Sequence, residues 1–233
     1  MLNEILWFLF MLIDFSIAIT MFKIFKKEGL YALIVISIIV CNIQVTKTVR
    51  IFGLTATLGN ILYGSIFFAT DLLGEIYGKS EAKKGVFIGF AALIAMTIYM
   101  QLAILFKPDT SDFASEHLKI IFGMMPRISI ASLSAYLLSQ LHDVWAFHFW
   151  KKKTKNKYLW LRNNFSTMVS QLIDSVVFCS IAFIGVFDFN VWWQVLLTTY
   201  LFKLIVAAVD TPFIYIGKYI AIKMREGISG DAV

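Results

Sequence analysis

The sequence predicts an all-α polytopic membrane protein with about seven transmembrane helices. Of its 233 residues, 59% are hydrophobic and only 15% are charged, and the mean hydropathy is +0.78. A soluble domain of this size needs more charge than that to cover its surface. Several apolar runs also reach the length that a helix needs to cross about 30 Å of hydrocarbon. These observations exclude an ordinary soluble protein.

Seven apolar segments follow one another along the chain. They run over Leu2–Phe22, Gly29–Val45, Leu54–Tyr77, Gly85–Phe106, Ile128–Phe149, Phe165–Phe187 and Trp192–Ala221. The first segment has no basic leader and no small-residue cleavage site, so we expect a retained helix. Pro212 is expected to bend or break the last segment, because proline has no N–H to donate. The stretch SEHLKIIFGMM, between the fourth and fifth segments, predicts a short helix at the membrane surface.

The basic residues lie mainly on one side of this arrangement. Fifteen of the 21 Lys and Arg residues fall in the linkers and tail on that side, five lie on the other side, and Lys203 is inside the last segment. Basic residues favour the cytoplasmic side of a membrane. We therefore predict a multi-pass protein of the plasma membrane, the bacterial inner membrane, with its N-terminus outside and its C-terminus in the cytoplasm. Because these charges separate apolar segments, the net charge of +6 does not indicate a nucleic-acid partner.

One short motif occurs twice and places a glutamine and an aspartate inside apolar segments. The copies SQLHDVWAF and SQLIDSVVF match at five of nine positions. Gln140 and Asp143 are three residues apart, as are Gln171 and Asp174, so each pair shares a helix face. The two segments are consecutive and therefore antiparallel, and transporters often place a substrate site between such internal repeats. The alternative is that these polar groups only bond the two helices together.

Other ionisable residues in the apolar segments are further candidates, since charges inside a bilayer are costly and usually functional. They are Asp14, Asp71, Glu75, Lys203 and Asp210. Glu75 is close enough to the cytoplasmic end to be solvated, and Asp14 lies on a helix that we expect to be peripheral. Lys203 is expected to neutralise a buried acid or to meet a carbonyl oxygen of the substrate.

A carboxylate beside a carboxamide indicates the kind of substrate. The carboxylate accepts two parallel N–H bonds, and the carboxamide both donates and accepts. A flat heterocycle with an N–H and an exocyclic amine on one edge, such as a guanine-like base, matches this pair. Aromatic residues nearby could stack on its faces. The candidates are Phe67, Phe68, Tyr136, Trp145 and Phe178.

The sequence gives no support to an enzyme. GEIYGKS at 74–80 is one residue shorter than a phosphate-binding loop, and no metal-ligand or hydrolase spacing occurs. We therefore expect no catalytic residues, no metal and no cofactor. The pairs Gly74 with Gly78 and Gly85 with Gly89 instead predict close helix contacts.

A retinal-binding photoreceptor is a distant alternative. Such a protein would use a lysine in the seventh span as a Schiff base, with an acid of the third span as its counter-ion. Lys203, Asp71 and Glu75 could fill those roles, but microbial members normally have an acid one turn before the lysine. Position 199 is a threonine here.

Four longer stretches carry a family resemblance. They are FFATDLLGEIYGKSEAKKGVFIGF at 67–90, RISIASLSAYLLSQLHDVWAFHFWKK at 127–152, LWLRNNFSTMVSQLIDSVVFCSIAFIGVF at 159–187 and TTYLFKLIVAAVDTPFIYIGKY at 198–219. Together they resemble the queuosine precursor transporter family, formerly labelled vitamin uptake transporters. The resemblance implies a six-helix core at 29–233, similar to the substrate-binding components of energy-coupling-factor vitamin transporters. Residues 1–28 would add an extra transmembrane helix and a basic cytoplasmic loop.

The resemblance also implies a function and a set of site residues. The function is membrane import of queuosine precursors, which are 7-deazaguanine bases such as 7-cyano-7-deazaguanine and 7-aminomethyl-7-deazaguanine, or queuine. The substrate-binding residues that the motifs carry over are Asn42, Thr70, Asp71, Glu75, Gln140, Asp143, Asn164, Gln171, Asp174 and Lys203. The implied partners are the heterocycle and the lipid bilayer, and the chain could work alone, as a homodimer or with an energising module. A transporter of another small heterocycle or vitamin is the alternative.

Overall fold

A computed structural model shows that the chain is mostly helical. It describes the backbone of residues 1–153 and 159–230, and the side chains of residues 1–139, 142, 145, 149, 168–210 and 212–223. The elements in chain order are α1 (Leu2–Gln44), β1 (Thr48–Ile51), β2 (Leu54–Thr57), α2 (Asn60–Leu72), a π-helical segment (Leu73–Tyr77), α3 (Lys79–Leu105), α4 (Ser115–Gly123), α5 (Met125–Lys153), α6 (Leu159–Phe183) and α7 (Phe189–Gly230).

Four stretches of helix are long and apolar enough to cross a membrane within the part of the chain that the structure describes. They are Leu2–Gln44, Lys79–Leu105, Ser115–Ser139 and Phe189–Lys223, and Met168–Phe183 is a shorter apolar helix. The prediction of a multi-pass helical membrane protein is therefore confirmed. The predicted short helix after the fourth segment is α4, and α7 continues through Pro212.

The first two predicted spans form the single element α1. The helix is interrupted at Lys26, whose φ of 53° and ψ of −129° are not helical. This divides α1 into a first limb, residues 2–25, and a second limb, residues 27–44. The interruption falls in the lysine-rich linker that the sequence places between the two spans.

A β-hairpin precedes α2, and the sequence analysis did not predict it. Strands β1 and β2 pair antiparallel, with Thr48 opposite Thr57. Phe52 and Gly53 both have positive φ, as the tight turns of hairpins require. The predicted start of the third span at Leu54 is therefore wrong, because Leu54 belongs to β2 and the helix begins at Asn60. A short apolar run alone does not distinguish a strand from the first turn of a helix.

The first limb of α1 lies beside α7 and runs in the same direction. Trp7 contacts Phe202 with ring centroids 4.9 Å apart, and Phe15 stacks on Phe213 at 4.8 Å. These rings belong to a core that α1, α2 and α7 share. The division of the chain at residue 28 stays a prediction, but the first limb is packed into this core.

α2 and α7 also run in the same direction and approach closely. A side chain at Gly64 would overlap Val206, and one at Gly217 would place its Cβ 2.8 Å from a Leu72 methyl. Gly64 thus allows the first turns of α2 to contact α7.

The close contacts predicted for the glycine pairs are found for one pair. Added Cβ atoms at Gly85 and Gly89 would lie 2.8 and 2.9 Å from atoms of Ile34, so α3 packs tightly on the second limb of α1. At Gly74 the nearest atom is 3.7 Å away, and at Gly78 none lies within 4 Å.

The two ends of the bundle have different contacts. At one end, the Asn3 amide donates to the Arg50 carbonyl (2.8 Å), and the Thr55 N–H donates to the Gln194 side chain (2.9 Å). This hairpin end therefore joins the starts of α1 and α7. At the opposite, lysine-rich end, the described residues form the ion pairs Lys27–Glu81, at 3.1 Å, and Lys218–Glu75, at 2.7 Å.

Candidate functional site

A cavity of about 40 Å³ lies among α1, α2, α5, α6 and α7. We call it the central cavity. Its walls are formed by Cys41, Asn42, Val45, Leu58, Gly59, Asn60, Tyr63, Ser132, Ala135, Asp174, Phe178, Thr199 and Lys203. Its volume is smaller than that of a typical small-molecule site, roughly 300–1,000 Å³, so a ligand that fills such a site requires the surrounding helices to move apart.

A buried ion pair forms one wall of the central cavity. The Lys203 ammonium pairs with Asp174 Oδ2, although the two residues are only 8% and 2% exposed. The Tyr63 hydroxyl donates to Asp174 Oδ1 at 3.0 Å, and the Lys203 ammonium lies 4.2 Å from the centre of the Tyr63 ring. A buried ion pair needs such additional contacts to offset its loss of hydration. The three side chains therefore form one unit across α2, α6 and α7.

A second polar contact joins α1 and α5 at the same cavity. The Asn42 amide group donates to the Ile38 carbonyl (2.7 Å), and the Ser132 hydroxyl donates to Asn42 Oδ1 (2.6 Å). Asn42 is 4% exposed and lines the cavity. These bonds hold its amide in a fixed orientation.

Gly59 brings the start of α2 against the second limb of α1. Its φ is +101°, a conformation that glycine adopts without strain, and a Cβ there would lie 2.6 Å from the Cys41 carbonyl oxygen. Any other residue would push α2 away from the cavity wall. Tyr63 follows one turn later on this helix.

A second cavity, of about 30 Å³, adjoins the first. We call it the side cavity. It shares Asn60, Tyr63 and Lys203 with the central cavity, and its other walls are Gly64, Phe67, Gln171, Ala207 and Asp210. The Oε1 atom of Gln171 is buried and has no hydrogen-bond partner in the described part of the chain. It is therefore a free acceptor at this cavity.

The structure brings four of the ten expected site residues to these two cavities. Asn42, Asp174 and Lys203 line the central cavity and Gln171 lines the side cavity. Three others line a separate open groove between α7 and the segment 70–82. We call this the polar groove, and its walls are Thr70, Asp71, Gly74, Glu75, Lys79, Ala82, Ile214, Tyr215 and Lys218. The side chains of Gln140, Asp143 and Asn164 lie outside the described residues.

The expected stacking residues are also divided. Phe178 lines the central cavity and Phe67 the side cavity. Phe68 is fully buried in the core of α1, α2 and α7, Tyr136 packs edge-on against Phe90, and Trp145 is 61% exposed. None of these three lines either cavity.

Tyr63 is the functional candidate that the sequence analysis missed. A single tyrosine in an apolar segment more often packs against its neighbours than binds a ligand. The spacing nevertheless indicates a shared face of α2, because Tyr63, Phe67 and Asp71 follow one another at intervals of four residues.

The structure also shows the contacts of two other candidates from the sequence, Asp14 and Lys203. Asp14 is 4% exposed and accepts a hydrogen bond from Ser65, and it lines neither cavity. Lys203 pairs with Asp174 of α6 rather than with Asp71 or Glu75. It thus neutralises a buried acid, as expected, and is not paired with the acids that a photoreceptor would use.

Comparisons with known proteins agree with the resemblance seen in the sequence. A family model described as "Putative vitamin uptake transporter" matches residues 57–217. The chain is 43% identical to a "Probable queuosine precursor transporter" of Bacillus subtilis over 94% of this chain and 96% of that protein. A protein of the same description from Haemophilus influenzae is 32% identical, over 68% of this chain and 66% of that protein. The "Queuosine precursor transporter" of Escherichia coli is 28% identical, over 72% and 75%.

No solved structure matches the chain significantly. The family model covers more than half of the chain, and the Bacillus subtilis protein is similar over nearly the full length of both. The chain therefore belongs to the vitamin uptake transporter family. The three relatives named above are described as queuosine precursor transporters.

Proposed function

We propose that this protein imports queuosine precursors, 7-deazaguanine bases, across the plasma membrane. The names of the three relatives support this substrate. The structural observation that carries it is the buried Asp174–Lys203 pair with Tyr63 at a cavity among five helices. A membrane protein keeps such charges in its interior mainly where they serve transport or binding.

The cavity groups match the edge of a guanine-like base. Each Asp174 oxygen accepts one bond, from Tyr63 or Lys203, and keeps a lone pair for an N–H of the base. The free Oε1 of Gln171 can accept from an exocyclic amine, and the Lys203 ammonium can donate to a carbonyl oxygen. Phe178 offers an aromatic face. We propose that Gln140, Asp143 and Asn164 complete this site.

We also propose seven transmembrane spans, with a six-helix core similar to vitamin-transporter substrate-binding components and an extra first helix. The parallel direction of α2 and α7 supports this. If α3, α5 and α6 each cross the membrane once between them, α7 crosses in the same direction as α2. The lysine-rich end would be cytoplasmic and the hairpin end outside, since basic residues favour the cytoplasm. The N-terminus would then be outside and the C-terminus inside.

Restoration of queuosine in tRNA tests the proposed function. The chain is expressed in bacteria that cannot make the precursors and lack their own importer, and each precursor is supplied at nanomolar concentration. Queuosine should return with the wild-type chain. With Asp143→Ala or Asp174→Ala, unpaired donors should cost about 1–3 kcal/mol, so uptake should fall about tenfold at normal expression.

The matched control is Asp109→Ala, in the exposed connection between α3 and α4, which should transport like the wild type. If the folded wild-type protein restores no queuosine with any precursor, the proposed substrate class is wrong. If both the Asp143→Ala and the Asp174→Ala variants transport normally, the two-acid site is wrong. The same chain, once purified, can be tested for whether it acts alone, as a homodimer or with an energising module.

A further inference from the structure

Three spaces follow one another along the contact between α2 and α7. The central cavity and the side cavity share Asn60, Tyr63 and Lys203, so they adjoin directly. The polar groove comes next along the same two helices, towards the lysine-rich end. The order of these spaces follows the direction of the chain in both helices.

One face of α2 and its π-helical extension lines all three spaces. Asn60 and Tyr63 belong to the central cavity, Phe67 to the side cavity, and Asp71 and Glu75 to the polar groove. The spacing of three or four residues keeps these side chains on one helix face.

α7 presents a matching face. Thr199 and Lys203 line the central cavity, Asp210 lines the side cavity, and Ile214 and Lys218 line the polar groove. We call these two facing rows of side chains the α2–α7 seam. Polar or charged groups occur at each level of the seam, which is unusual for a contact between two apolar helices and typical of a path for a polar solute.

The barrier between the side cavity and the polar groove is thin. On α2, Phe67 is the last side chain of the cavity and Thr70 the first of the groove, and the Thr70 hydroxyl donates back to the Phe67 carbonyl at 2.8 Å. On α7, the corresponding step is from Asp210 to Ile214. Each step is three or four residues, about one helical turn or roughly 6 Å.

Each side of the seam has one unusual feature near this barrier, a proline within α7 and a π-helical segment directly after α2. Pro212 lies between Asp210 and Ile214, and a proline leaves one backbone carbonyl of its helix without the usual N–H donor. The π-helical segment Leu73–Tyr77 begins two residues after Asp71, and such segments often mark functional sites. Local rearrangement is easier here than in an unbroken helix.

We propose that the substrate leaves its site along the α2–α7 seam and enters the cytoplasm through the polar groove. The packed turn at Phe67 and Asp210 is the inner barrier, which opens during each transport cycle. This proposal rests on the proposed function, since it supplies the inward route for the same 7-deazaguanine bases.

A cysteine in the polar groove tests the route. Ile214→Cys is labelled with a membrane-impermeant, positively charged thiol reagent in inverted vesicles, which expose the cytoplasmic face. Uptake and equilibrium binding of 7-cyano-7-deazaguanine are then measured before and after labelling. The matched control is Ile216→Cys, two residues away on an exposed face of α7. The native cysteines, Cys41 and Cys179, are only 6% and 0% exposed, so the reagent should not label them.

We expect labelling of Ile214→Cys to slow uptake at least tenfold while the Kd changes less than threefold. The wild-type chain and Ile216→Cys should keep their uptake after the same treatment. Three outcomes would overturn the route: no labelling of Ile214→Cys, unchanged uptake by fully labelled protein, or an equal loss of binding and uptake. Absence of binding to the unlabelled wild-type protein would instead contradict the proposed function.

Discussion

Replacing Lys203 with methionine is a direct test of the buried ion pair. The substitution keeps the length of the side chain and removes its charge, so Asp174, only 2% exposed, loses its ammonium partner. Removal of one partner of a buried ion pair typically costs about 3–5 kcal/mol of unfolding free energy. For a chain of this size, 1 kcal/mol corresponds to about 2–4 °C, so the Tm should fall by about 10 °C.

A surface ion pair of the same chain provides the matched control. Lys218 and Glu75 have side chains that are 43% and 53% exposed, and exposed pairs contribute at most about 1 kcal/mol. Lys218→Met should therefore lower the Tm by no more than about 4 °C. The assay is thermal unfolding of the detergent-purified protein, followed by the fraction that remains monodisperse.

The double variant Lys203→Met with Asp174→Asn separates stability from binding. It removes both charges, so most of the lost stability should return, as is common when a whole buried pair is replaced. Binding of the base should stay weak, because the carboxylate and the ammonium are both absent. If Lys203→Met melts within about 2 °C of the wild type, the ion pair does not hold α6 and α7 together and our reasoning is wrong.

Two further predictions concern α2. Tyr63→Phe removes the hydroxyl that donates to Asp174 but keeps the ring, and such a bond to a charged group contributes about 1.5–3 kcal/mol. The Kd for 7-cyano-7-deazaguanine should therefore rise about tenfold. Tyr99→Phe, at a 68% exposed position, should leave this Kd unchanged. Gly64→Leu would overlap a valine of α7 and should sharply reduce the yield of folded protein in size-exclusion chromatography, whereas Gly123→Leu, with no atom within 4 Å of its Cβ, should not. An unchanged Kd for Tyr63→Phe, or a normal yield for Gly64→Leu, would contradict these contacts.

Helical spacing made part of the site predictable. Gln171 and Asp174 are three residues apart, so the sequence placed them on one face of α6, and the structure directs that face to two adjoining cavities. A lysine inside an apolar segment also required an acidic partner. The sequence could not identify Asp174 as that partner, because the choice among the intramembrane acids depends on how the helices pack.

The hairpin and the polar groove show what the sequence could not determine. The apolar run that begins at Leu54 contains a strand and a helix, and their boundary depends on tight local backbone geometry at Gly59. Asp71 shares a helix face with Tyr63 but lies about two turns further along α2, in a different space. Periodicity gives the face of a helix, whereas the position of a cavity along the axis depends on the neighbouring helices.

The most direct test of the central claim is equilibrium binding of 7-cyano-7-deazaguanine to the purified protein, with one variant at each of two glutamines. Gln171→Leu removes the free acceptor of the side cavity, whereas Gln101→Leu removes an amide that donates to the Phe122 carbonyl, away from both cavities. We predict that the wild type binds the base, that Gln171→Leu binds it about tenfold more weakly, and that Gln101→Leu binds it within twofold of the wild type. Equal affinity of the wild type and Gln171→Leu, or no binding by the wild type, would contradict the assignment of the cavities as the site for the base.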